Sequence, residues 1–322
     1  MTARAGTLVA ALVLLSASPT RAAEPCKIPL VAEAKIEHKG SIYVQASIRG
    51  ESVPMVVHTS SAVTSISKTT AQKFGLELSR ETRYSLHGTH GELEAYNVTV
   101  PDFVIGNGRF PELRAMVIEG RDSGAAGSSV GAIGTDLLGA FDLEFDVQGG
   151  RFVLHEKTRC AHAPPWPADF ITVQLLPLLS GRVQFSVKID GRTLNAELDS
   201  GANRSFLTSV GARKLGITRD SPGIERASGR ADADGQPQES YAYRFQSFEL
   251  ESETVRYPRL FIRDVLTKLY PQTYQGGQVK ARSEEPPDLY LGADWLRAHR
   301  VYIGRATDEM HFTYLSGPIF EK

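Results

Sequence analysis

The sequence predicts an all-β chain of two similar lobes with only short helices, and three observations carry that prediction. Apolar residues alternate with polar ones in short runs bounded by glycine turns, which is the period of a strand. The order strand, turn, strand, short helix occurs twice. The two occurrences also keep register, since 191 − 50, 199 − 58 and 216 − 75 all equal 141 for the pairs Gly191/Gly50, Asp199/His58 and Gly216/Gly75. A chain of 322 residues, 41% hydrophobic and 23% charged, is long enough for two folded cores.

Residues 1–23 read as a secretory signal peptide, because Arg4 precedes an apolar run from Gly6 to Ala17 and the small Ala22-Ala23 follow. The run is shorter than the roughly 20 residues of a membrane-crossing helix, and no later stretch supplies one. An exported protein, periplasmic or secreted, is the expectation. Its net charge of −1 offers no electrostatic footprint for nucleic acid or an anionic membrane. Export permits a disulfide. Cys26 and Cys160, 160 − 26 = 134 residues apart, would staple a first domain over residues 27–160. Such a loop restricts the unfolded chain by about 4–5 kcal/mol on the loop-entropy model; two buried thiols are the alternative.

In the first half, Ile42, Val44, Ala46 and Ile48 share one face of a strand over Ser41–Gly50, and Val53–Val57 makes a second strand running into His58-Thr59-Ser60-Ser61. Thr69–Phe74 reads as a short helix stopped by Gly75. A Pro-rich linker over 161–168 leads to a second domain over 169–322. There Arg182–Asp190 and Leu194–Leu198 are strands, the latter ending at Asp199-Ser200-Gly201-Ala202, and Ser209–Leu215 is a helix stopped by Gly216.

Each half also closes alike: Ala132-Ile133-Gly134-Thr135-Asp136-Leu137-Leu138 matches Tyr290-Leu291-Gly292-Ala293-Asp294-Trp295-Leu296 at 292 − 134 = 158. Paired strands follow each segment, at Leu143–Val147 and Phe152–Leu154, then at Val301–Ile303 and Met310–Phe312. The additional 158 − 141 = 17 residues of the second half are expected in its middle loops, near Leu269–Pro287.

Asp199-Ser200-Gly201-Ala202 followed by Leu291-Gly292-Ala293-Asp294, an order seen twice, resembles the retropepsin-like and pepsin-like aspartic proteases. The resemblance implies two β-barrel lobes related by a pseudo-twofold axis, a peptide or protein substrate between them and no cofactor. It implies that Gly134 and Gly292 lie in segments crossing behind the active-site loops, where a glycine lets backbones approach. Family chemistry uses two facing carboxyls that share one proton, one activating water and the other polarising the scissile carbonyl. Here the second half supplies Asp199, with Ser200 at the hydroxyl position and Gly201 and Ala202 completing the loop. The first half supplies His58 in place of the carboxylate, keeps the hydroxyl at Thr59, and has Ser60 in place of glycine.

Three arrangements follow from that departure. Asp199 and His58 form a catalytic hetero-pair, with Asp199 as base and the His58 imidazolium as proton donor. Alternatively, two Asp199 loops pair across a homodimer. As a third arrangement, the chain is an inactive protease-like protein that binds peptides.

His87-Gly88-Thr89-His90-Gly91 stands where the resemblance implies a flap, so His58, His87 and His90 are weighed as zinc ligands against plain turn histidines, and no metal is assigned. Asp232-Ala233-Asp234-Gly235 lacks the closing glutamate of a calcium loop and reads as a polar turn. Serine-protease, P-loop and dinucleotide fingerprints are absent.

Overall fold

The computed structural model describes residues 28–88, 91–118, 130–159, 162–167, 169–178, 180–227, 240–264 and 286–320. The leader, Cys26, Cys160, His90 and the Asp232–Gly235 turn lie outside the described residues, as does the side chain of His87. The fold is all-β with short helices only.

In the first half, strand Ser41–Ile48 alternates half-buried and buried residues and puts Ile42, Val44, Ala46 and Ile48 into the core. Arg49 and Gly50 turn the chain with positive φ of 50° and 82°, a conformation that glycine adopts without a Cβ penalty. Strand Glu51–Val57 returns antiparallel, from Ile48↔Glu51 to Tyr43↔Val56. The helix forms at Lys68–Lys73, one residue earlier than its pattern suggests, because Ser67 caps it and accepts from Thr70 N at 3.1 Å. Long strands Gly91–Ile105 and Gly108–Ile118 fold back on each other. Pairing of Ala46 with Ile105 closes six strands into a barrel.

The second half repeats these moves. Gln184–Ile189 and Arg192–Leu198 are joined by Asp190-Gly191, again both at positive φ. Helix Ser209–Lys214 is capped by Thr208, whose Oγ1 accepts from Gly211 N at 3.0 Å. Val57 pairs in parallel with Ile133, and Leu198 with Leu291. Ser65 pairs in parallel with Met116, and Phe206 with Phe261. From these registers the offset is 261 − 116 = 145 at the middle strands and 290 − 132 = 158 at the closing ones. Of the 17 additional residues, 158 − 145 = 13 thus fall between Phe261 and Tyr290, around the undescribed stretch 265–285.

A six-stranded sheet joins the halves in the order Ile171–Gln174, Glu309–Tyr314, His299–Gly304, Asp142–Asp146, Arg151–His155, Leu30–Lys39. The closing strands of the two halves pair directly, Val301 with Phe145 and Ile303 with Leu143. The Pro-rich stretch is docked on this sheet. Trp166 packs against Tyr302, lies under the Arg300 guanidinium at 4.4 Å, and donates Nε1–H to Thr313 Oγ1 at 3.0 Å.

Behind each central loop a helix starts at a glycine, Thr135–Leu138 after Gly134 and Ala293–Ala298 after Gly292. The Asp136 carboxylate accepts from Thr64 N and Thr64 Oγ1, and Asp294 accepts from Ser205 N and Ser205 Oγ in the same pattern. A Cβ on Gly134 would come within 2.4 Å of the Val63 backbone carbonyl, and one on Gly292 within 2.7 Å of the Arg204 carbonyl carbon. Backbone cannot yield as a flexible side chain can. Gly292→Ala is therefore expected to destabilise the chain by at least about 1–3 kcal/mol, read from urea unfolding midpoints; a shift within error would remove the close approach as a constraint.

Candidate active site

Two strands end at the centre of the molecule. Glu51–Val57 delivers His58, whose N–H donates to Ile133 O at 3.0 Å, and Arg192–Leu198 delivers Asp199, whose N–H donates to Leu291 O at 2.8 Å. Each loop then turns tightly, with Ser61 N–H donating to His58 O and Ala202 N–H to Asp199 O, both at 3.1 Å.

The loops are locked together by their hydroxyls. Thr59 Oγ1 donates to Leu198 O at 2.5 Å and accepts from Ser200 N–H at 3.1 Å. Ser200 Oγ donates to Val57 O at 2.5 Å and accepts from Thr59 N–H at 3.1 Å. Both hydroxyl residues are 0% exposed, so these bonds face no competition from water.

The lock brings the two unlike residues into contact. His58 Nε2 lies 3.2 Å from Asp199 Oδ1, with the imidazole 30% exposed and the carboxylate 11%. Asp199 Oδ1 also accepts from Gly201 N–H at 3.0 Å and Ala202 N–H at 3.1 Å. All three of these contacts fall on Oδ1, and none of the described residues bonds to Oδ2. Gly201 is what admits the ring, since a Cβ there would lie 2.4 Å from His58 Cδ2.

Ser60 does not point into the site. Its hydroxyl crosses between the halves and donates to Glu197 Oε1, on the strand that ends at Asp199. Glu197 is 0% exposed; Gln184 Nε2 donates to its Oε2 at 2.7 Å, Arg182 Nη1 stands 3.6 Å from that oxygen, and Asn195 Nδ2 donates to Gln184 Oε1 at 2.9 Å. Burial pushes the Glu197 carboxyl above its ordinary range, opposed by Arg182, Ser60 and Gln184 and reinforced by the Asp199 charge. Sequence reasoning did not single out Glu197. The signal was the polar face of two paired strands, Gln184, Ser186 and Lys188 opposite Glu197, Asn195 and Thr193, whose Gln184–Glu197 end is buried.

The structure thus gathers His58, Thr59, Ser60, Ser200, Gly201 and Ala202 around Asp199, with Gly134 and Gly292 behind the loops. Among the described residues no three His, Cys, Asp or Glu side chains group as a metal site, and no helix is long and apolar enough to cross a membrane. A protein-family model described as aspartyl protease matches the chain twice, over residues 44–137 and 185–295. Comparison with curated proteins returns no match.

Two outcomes check this geometry. Thr59→Val orphans a buried N–H and a buried carbonyl and should cost about 2–4 kcal/mol in urea unfolding; a cost under about 0.5 kcal/mol would show that the lock is not made. Glu197, with its raised pKa, contributes stability that is present below its unfolded value of 4.5 and lost as pH rises through its folded value. Glu197→Gln should escape that loss, so its stability relative to the unsubstituted chain should rise with pH above 4.5; a pH-independent difference would contradict the shift.

Proposed function

The chain belongs to the aspartyl protease family, and we propose that it hydrolyses peptide bonds with a hetero-pair, Asp199 as the base that activates water and His58 as the proton donor opposite it. The observation that carries this reading is the 3.2 Å contact between His58 Nε2 and Asp199 Oδ1 at the junction of the two loops. Two carboxyls at such a distance must share one proton, whereas an imidazole and a carboxylate bring a nitrogen donor and an oxygen acceptor on separate side chains. The pair therefore provides one acid and one base without a shared proton.

In this scheme Asp199 takes a proton from water as the water oxygen bonds to the carbonyl carbon. The Nε2–H of His58 turns from Oδ1 to the carbonyl oxygen and balances the negative charge developing there. When the tetrahedral species collapses, the C–N bond breaks and the proton held by Asp199 passes to the amine nitrogen. Both side chains then regain their starting protonation. No cofactor is needed for these steps, and the leader-like sequence of residues 1–23 supports a substrate outside the cytoplasm, in a periplasm or the medium.

A homodimer pairing two Asp199 loops would have to break the four buried bonds that already tie that loop to the first half. The single-chain pair keeps all four. The binding-protein reading draws on the two changed positions, His58 and Ser60, and differs from the enzyme reading only in turnover.

On an unstructured peptide library, Asp199→Asn is expected to lower kcat/KM by about 10⁴, to a small residual rate, while the fold is retained by circular dichroism. His58→Ala should lower kcat/KM by about 10²–10⁴. Undiminished turnover in Asp199→Asn would overturn the assignment, and unchanged turnover in His58→Ala would remove the imidazole from it. A wild-type chain that binds peptides from acidic to neutral pH and cleaves none would be a binding protein.

A further inference from the structure

Beside the hydroxyl lock, each central loop is tied to the opposite half by one further side chain, and the two ties run in opposite senses. The second loop is held at its glycine: Ser41 Oγ donates to Gly201 O at 2.6 Å, and Ile42 N–H donates to Ser200 O at 3.0 Å. Both donors stand at the start of strand Ser41–Ile48 in the first half. The repeat fixes which residues are reciprocal to these, since 182 − 41 and 201 − 60 both equal 141. Arg182, in place of Ser41, carries no hydroxyl, whereas Ser60, in place of Gly201, does. The first loop therefore brings its own donor. Its acceptor is Glu197 Oε1, and Arg182 Nη1 stands 3.6 Å from the other oxygen of that carboxyl.

The acceptor is itself oriented from its own half. Gln184 Nε2 donates to Glu197 Oε2 at 2.7 Å, and Asn195 Nδ2 donates to Gln184 Oε1 at 2.9 Å, so the glutamine turns its N–H side to the acid. That bond occupies Oε2 and leaves Oε1 to Ser60. The first half shows that the fold requires no such network. In the same register it pairs Tyr43 with Val56 where the second half pairs Gln184 with Glu197. Glu197 is 0% exposed, and burial raises its pKa, which costs stability at neutral pH. A residue kept at that cost, where valine serves in the repeat, is explained by what differs between the loops.

The difference is the imidazole. His58 Nε2 reaches Asp199 Oδ1 at 3.2 Å with the ring seated over Gly201, where a Cβ would lie 2.4 Å from Cδ2. Backbone bonds hold one side of its turn, His58 N–H to Ile133 O and Ser61 N–H to His58 O. The Ser60 bond holds the side that faces the second half. We infer that Ser60 and Glu197 are positioning residues for His58: the buried carboxyl holds the turn from His58 to Ser61 through the Ser60 hydroxyl and so keeps the imidazole over Gly201 beside Asp199. This rests on the reading of His58 and Asp199 as the reacting pair; it adds the device that keeps them in register.

Two measurements on the full-length chain test it, one of which needs no turnover. In cleavage of one unstructured peptide, Ser60→Ala should lower kcat about 10–10²-fold with KM within about twofold, and Ser60→Thr, which keeps the hydroxyl, should recover most of the loss. In a Glu197→Leu background, where the tie is already gone, Ser60→Ala should add less than about twofold. By hydrogen exchange read in a mass spectrometer, the amides of residues 58–61 should exchange about tenfold faster in Ser60→Ala while those of the barrel strands stay unchanged. An unchanged kcat in an active chain, a loss confined to KM, a loss that Ser60→Thr does not recover, or unaltered loop exchange would each overturn the inference. So would a Ser60→Ala effect that persists in full in the Glu197→Leu background; if that background does not fold, the two Ser60 variants decide. A chain that cuts nothing yet shows the faster loop exchange would remove the peptidase reading and leave the tie to His58 standing, whereas a chain that cuts, with kcat and loop exchange both indifferent to Ser60→Ala, would do the reverse.

Discussion

The chemistry available to this chain depends on two hydroxyls. Thr59 and Ser200 each donate to a carbonyl of the opposite loop and accept from its N–H, and both are fully buried. Four bonds out of reach of water hold two loops, 141 residues apart in sequence, at a separation set by hydrogen-bond length rather than by lobe packing. Without them the six-stranded sheet and the bonds from Ser41, Ile42 and Ser60 would still join the halves, but the direct loop-to-loop tie beside residues 58 and 199 would be gone. The crossing glycines serve the same end from behind, since Gly134 and Gly292 let Val63 and Arg204 backbone press close to the segments that support each loop.

Within that fixed frame the first loop carries side chains unlike those of the second. An imidazole is larger than a carboxylate, and it is accommodated over Gly201, where a Cβ would collide with the ring. The hydroxyl of Ser60 turns away from the cleft to a carboxyl, Glu197, that is fully buried and tied to Gln184. This adds a cross-lobe bond to the four of the hydroxyl lock. A buried acid whose pKa burial has raised is costly at neutral pH, so the first loop is anchored at some expense to stability.

The sequence made the frame legible because the repeat is written in residues with strong local consequences. Glycine turns at 50 and 191, the strand-ending motif at 199 and the Gly-x-Asp segments at 134 and 292 mark positions that side-chain chemistry alone constrains. What escaped was set by partners distant in the chain. Glu197 is one of four polar residues in its strand, with Arg192, Thr193 and Asn195, and it is the contact with Ser60, 137 residues away, that sets it apart. Strand Leu30–Lys39 buries the small Ala32 and Ala34 beside Ile36, a weak apolar signal that pairing with Arg151–His155 makes into a strand. The Pro-rich stretch read as a linker, yet Trp166 is held by Tyr302, Arg300 and Thr313 from the last strands of the chain. The cluster of Phe206, Phe261 and Tyr290, in which the Phe206 and Tyr290 rings stack, is likewise invisible in sequence, because its members come from three separated strands.

The central claim is that His58 and Asp199 act as one catalytic unit within a single chain. A double-variant cycle on kcat/KM tests it most directly, using Asp199→Asn, His58→Ala and the two combined against one peptide. Residues that work as a unit lose their joint effect at the first substitution, so the combined variant should be no slower than the slower single one. Losses that multiply, with the combined variant slower by the product of the two single effects, would mean that the imidazole and the carboxylate act independently and would contradict the account.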